Sequence, residues 1–113
     1  MYKVLIVDDE NLVRVALRTI VDYESCGFTV CATAADGLEA LEICRKEDPD
    51  LIITDIKMPR MDGISMIEAL RQEGFSGQLI LIRNYDDFEL VRQGLVMGAK
   101  GYLPQLTPTP QEF

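Results

Sequence analysis

Apolar residues along this chain switch between two spacings. Residues 3–7, KVLIV, form an unbroken run with β-branched side chains, the pattern of a strand covered on both faces, and Asp8 and Asp9 end it. Over residues 10–21, Leu12, Ala16 and Ile20 recur every fourth position with Val13 and Leu17 beside them, which predicts a helix burying one face before Gly27 closes the region. A second β-rich run, FTVCATA at 28–34, leads into Asp36-Gly37-Leu38-Glu39, which has the form of a capping box. The helix that follows aligns Gly37, Ala40, Leu41 and Cys44, and Asp48-Pro49 stops it ahead of a third strand at 50–54. After Asp55, residues 56–62 hold Pro59 and no period, so they read as a loop. It feeds a helix presenting Gly63, Met66, Ile67 and Leu70, which GFSG at 74–77 ends. QLILI at 78–82 is a fourth strand, residues 86–97 a helix aligning Phe88, Val91 and Leu95 before Gly98 terminates it, and 101–103 a short fifth strand.

Strands alternating with helices through short loops call for right-handed βαβ units and a parallel sheet buried on both sides. The final strand is followed only by TPTPQEF, too short and too proline-rich for several helical turns. The expectation is a single domain over residues 1–106, with 107–113 the start of a truncated fifth helix or a linker. The 113 residues contain no apolar run of the roughly 20 needed to span a membrane, and the N-terminus has no signal-peptide pattern; the default expectation is a soluble cytoplasmic chain without membrane contact. Nineteen acids against eleven bases give a net charge of -8, which disfavours direct contact between this segment and a nucleic-acid backbone. Cys26, Cys31 and Cys44 lack metal-ligand spacing and the chain has no histidine, so they read as reduced, partly buried thiols.

The chemistry-bearing residues are the acids at strand ends. Open parallel sheets bind ligands beyond the carboxyl ends of their strands, and neighbouring first and third strands bring Asp8, Asp9 and Asp55 together there. Three close carboxylates raise one another's pKa, and a cation relieves them. Hard oxygen donors suit Mg²⁺, with Mn²⁺ the alternative, and Mg²⁺ beside carboxylates suits a phosphoryl-handling site. Asp8 and Asp9 have a second reading, as caps of the following helix. Asp55 has no helix start near it to cap.

VLIVDDE at 4–10, DLIITDIKMPRMDG at 50–63 and YDDFELVRQGLVMGAKGYL at 85–103 resemble, in order and spacing, the receiver domain of two-component response regulators. The third motif is most similar to receivers followed by an AraC-like helix-turn-helix DNA-binding domain. The resemblance implies an α/β flavodoxin-like, doubly wound, five-stranded parallel sheet of strand order 2-1-3-4-5, here with its fifth helix truncated or absent. It implies that Asp55 accepts a phosphoryl group from a sensor histidine kinase, and that Mg²⁺ is held by Asp8, Asp9, Asp55 and the backbone carbonyl of Lys57. The implied partners are that kinase and an output domain on a longer chain, to which contact with DNA falls, with homodimerisation through the helix-four and strand-five face.

The chain departs from the family at the phosphoryl-sensing positions. Where the family carries Ser or Thr after strand four, this sequence has Arg83; where it carries Lys then Pro after strand five, this one has Gln105 and Leu106. The Arg83 guanidinium either reaches the site, binding phosphate or carboxylate, or extends into solvent. Gln105 donates hydrogen bonds but carries no charge. Asp86 and Asp87 read as caps of the fourth helix in preference to ligands, and either is able to pair with Arg83. Two alternatives to a phosphorylated receiver stand beside it. One is a pseudo-receiver that signals through partner binding with impaired or phosphate-independent switching. The other is a phosphatase-like hydrolase with a nucleophilic Asp, resembling the haloacid-dehalogenase type, whose Asp-x-Asp, cap and downstream lysine are missing here.

Overall fold

The apolar run at the N-terminus forms strand β1, Tyr2–Val7, at the centre of a parallel sheet. A computed structural model describes residues 1–83 and 88–99 of the chain. Helix α1 spans Asn11–Ile20, β2 Phe28–Ala34, α2 Gly37–Glu47, β3 Leu51–Asp55, α3 Gly63–Gln72, β4 Gln78–Ile82 and α4 Phe88–Ala99. Sheet order is β2-β1-β3-β4, with every pairing parallel. This is the flavodoxin-like receiver arrangement over the four described strands. The expected fifth strand, Asp86, Asp87, Gln105, Leu106 and residues 107–113 lie outside the described residues.

Strand residues alternate between two cores because successive side chains point to opposite faces. Val4, Ile6, Leu51, Ile53, Ile80 and Ile82 pack against Val13 and Leu17 of α1 and Val91 and Leu95 of α4. Leu5, Val7, Ile52, Leu79 and Leu81 pack against Ala40, Leu41 and Cys44 of α2 and Met66, Ile67 and Leu70 of α3. Each such aliphatic side chain contributes roughly 1.5–3 kcal/mol on burial, so the sheet is held from both sides. Strand β2 is one edge of the described sheet, and its register against β1 slips between Val4 and Leu5, leaving Cys31 without a partner position.

Two helix expectations need correction. In α1 the buried row is Val13 and Leu17, continued by Val21, whereas Leu12 is 78% and Ile20 53% exposed. Two adjacent rows at fourfold spacing were available, and contact with the sheet selects the other one. Helix α4 runs through Gly98 to Ala99 rather than ending at that glycine. A helical glycine costs about 1 kcal/mol relative to alanine, which burial of Val91 and Leu95 offsets. A short 3-10 turn, Glu24–Cys26, also precedes β2 and has no periodic signature in the sequence. No described helix is long and apolar enough to cross a membrane.

Candidate functional site

Register alone assembles the site. Val7 pairs with Thr54, so the next residues, Asp8 and Asp55, leave the sheet side by side; Asp55 in turn pairs with Ile82, the residue before Arg83. Carboxylate oxygens of Asp8, Asp9 and Asp55 lie within 4.8 Å of one another. Asp8 is buried, Asp55 half-buried and Asp9 exposed, so the group opens outward from the sheet.

The carboxylates do not cap α1. The residue at its N-cap is Glu10, without a side-chain cap bond, while Asp8 Oδ1 accepts from the Glu10 amide at 2.8 Å. Asp55 Oδ1 accepts from the Ile56 amide at 2.7 Å. These amide bonds do not offset the surroundings. Burial first, then the charges of Asp55, Asp9 and Glu10, push the Asp8 carboxyl up to about 6, against the lowering effect of the Glu10 amide. Burial and the Asp9 charge likewise raise Asp55, against the amides of Ile56 and Lys57. Three hard oxygen donors this close together fit a small divalent cation.

Asp8 and Asp55 line a cleft of about 280 Å³ together with Glu10, Val13, Ile82, Arg83 and Phe88. Arg83, exposed at the end of β4, borders the same cleft as the acids. Its chemistry is that of a fork able to bind phosphate or carboxylate with two bonds. Glu10 and Phe88 carry no site signal in the reading of the sequence above; Glu10 directly follows the acidic pair, whereas Phe88, there only a helix-face residue, joins the cleft through the fold.

The loop after Asp55 is closely packed. Gly63 lets α3 begin against the end of β3: a Cβ there would collide with the Asp55 carbonyl oxygen, and the Gly63 amide donates to the Ile56 carbonyl at 2.7 Å. Asp62 caps α3 through the Ser65 amide at 2.8 Å. Lys57 is exposed within this loop.

The response regulator receiver domain model matches residues 4–108. The transcriptional regulatory protein HptR of Staphylococcus aureus is 36% identical over 103 residues, covering 91% of this chain and 40% of that protein. The chain therefore spans less than half the length of such curated relatives. Among solved structures, the receiver domain of AraT, a response regulator from Geobacillus stearothermophilus, is 33% identical with a TM-score of 0.70, over 98% of this chain and 85% of that one. A chain of the CheX–CheY–BeF3–Mg²⁺ complex from Borrelia burgdorferi is 31% identical with a TM-score of 0.66, over 98% and 82% respectively.

Proposed function

Because the chain belongs to the response regulator receiver domain family, we propose that Asp55 is the phosphoacceptor through which a sensor histidine kinase controls an output module of a longer protein. The observation that carries this reading is the convergence of the Asp8, Asp9 and Asp55 carboxylates within 4.8 Å at the strand ends. Asp55 is the nucleophile: a carboxylate oxygen bonds to phosphorus as the phosphorus–nitrogen bond of a phosphohistidine breaks, and the electron pair leaves with the imidazole. Desolvation keeps the Asp55 oxygens weakly hydrated, and the Ile56 amide at 2.7 Å fixes the carboxylate's orientation.

Asp8, Asp9, Asp55 and the Lys57 backbone carbonyl are the groups that would hold Mg²⁺, or Mn²⁺ in its place. When bound, the metal supplies charge neutralisation for the phosphoryl oxygens and for the acids themselves. Arg83 is the phosphoryl-sensing cation at the position where the receiver resemblance implies a hydroxyl, and Gln105 the uncharged residue where it implies a lysine. The net charge of -8 favours leaving any DNA contact to the output module, whose transcriptional role is proposed from the name of the staphylococcal relative.

Beryllofluoride with Mg²⁺ tests the site in solution. Titration followed by the Ile56 amide resonance is expected to saturate in the wild type and to fail in Asp55→Asn, while Arg83→Ala weakens binding roughly tenfold, as loss of a charge-assisted contact should. Saturation of Asp55→Asn would contradict the assignment of Asp55. An unchanged affinity in Arg83→Ala would return Arg83 to the solvent reading and favour the pseudo-receiver alternative for the switch.

A further inference from the structure

The loop that follows Asp55 contains a strained turn. Arg60 has φ 64°, the left-handed region, and the Met61 amide closes a three-residue turn onto the Pro59 carbonyl at 2.7 Å. A non-glycine residue held in such a conformation persists only where its surroundings over-determine it.

Those surroundings come from the start of α2. Asp36, with a side chain only 7% exposed, divides its carboxylate between two partners. Oδ1 accepts from the Glu39 amide at 2.9 Å as the helix cap, while Oδ2 meets Arg60 Nε at 2.8 Å and Nη2 at 2.6 Å. One residue on, the Gly37 amide donates to the Met61 carbonyl at 3.0 Å. A Cβ on Gly37 would lie 2.7 Å from that carbonyl oxygen and from Met61 Cγ, so glycine is what lets the helix start touch the loop. The Glu39 amide and then Arg60 hold the Asp36 carboxyl below the ordinary carboxylate range, so the pair stays charged near neutrality.

We propose that Arg60 and Asp36 are positioning residues for the phosphoacceptor site. Their ion pair docks the strained turn on the start of α2, and through residues 56–62 sets where the Lys57 carbonyl lies relative to Asp55. This rests on the proposed roles of Asp55 and Lys57. Neither residue touches the phosphoryl group; both act through loop geometry.

Three variants isolate the effect. Arg60→Gly removes the tie and also the strain, Asp36→Asn keeps an oxygen for the Glu39 cap but loses the charge, and Arg60→Lys restores a cation. Amide hydrogen exchange at Gly37 and Gly63 in metal-free protein, and Mg²⁺ titration followed at Ile56, supply the readouts. Faster exchange and roughly tenfold weaker Mg²⁺ binding are expected for Arg60→Gly and Asp36→Asn, with most of the affinity recovered in Arg60→Lys. Wild type that binds Mg²⁺ alongside folded variants with unchanged exchange and affinity would overturn the positioning role alone. Wild type that binds no Mg²⁺ would overturn the metal-site reading beneath it, and the positioning role with it.

Discussion

Asp8 illustrates what a single residue contributes. Its folded pKa of about 6 lies above the ordinary value of 3.8, so between those values the folded state keeps a proton that the unfolded state releases. Stability of the metal-free protein therefore falls as pH rises through that window and levels off above it, the reverse of a salt-bridged acid. The shift corresponds to roughly 2–3 kcal/mol at 1.36 kcal/mol per pH unit. Asp36 acts in the opposite sense: its lowered pKa stabilises the fold above the ordinary carboxylate range, and that contribution is lost as pH falls through the folded value. Urea unfolding in chelator should thus show Asp8→Asn more stable than wild type by about 2 kcal/mol near neutral pH, the gap closing below about pH 4. A gap independent of pH would contradict a titration origin. The three acids were legible in the sequence because each follows an apolar run. The Arg60–Asp36 pair was not, since Asp36 read fully as a helix cap and nothing local to Arg60 points across 24 positions to it.

At the scale of elements, buried helix faces were legible where one apolar row stood out, as in α2 with Gly37, Ala40, Leu41 and Cys44 and α3 with Gly63, Met66, Ile67 and Leu70. Helix α1 misled because its two candidate rows are both apolar, and only contact with the sheet distinguishes them. Leu12→Ala should consequently cost less than about 0.5 kcal/mol, whereas Leu17→Ala should cost about 2–5 kcal/mol, measured by chemical denaturation. Equal losses would contradict the assigned face. The junction of β3 with α3 depends on Gly63, whose replacement by alanine drives a methyl into the Asp55 carbonyl. Gly63→Ala should destabilise by about 2–4 kcal/mol, because backbone atoms, unlike a flexible side-chain tip, have little room to yield.

Across the whole molecule, alternation of strand and helix signals was enough to give the parallel sheet, and the resemblance supplied an order that the four described strands follow. The meeting of Asp8 and Asp55 followed from the strand order, and the register realises it; what sequence could not give was the cleft that adds Glu10 and Phe88 and puts Arg83 on its border. The same architecture couples the site to global stability. Two cores press the central strands from opposite sides, so repulsion among acids at their ends is sustained by packing elsewhere. Mg²⁺ at 100 times its dissociation constant should raise unfolding free energy by about 2.7 kcal/mol, read as an upward shift in melting temperature. Asp9→Asn should lose most of that shift.

That Asp55 takes a phosphoryl group is tested most directly by intact-mass spectrometry after incubation with a small-molecule phosphodonor and Mg²⁺. One phosphoryl adduct is expected on the wild type, none on Asp55→Asn, and none on wild type in chelator. Wild type that stays unmodified where another receiver is labelled, or an adduct that persists in Asp55→Asn, would contradict the assignment.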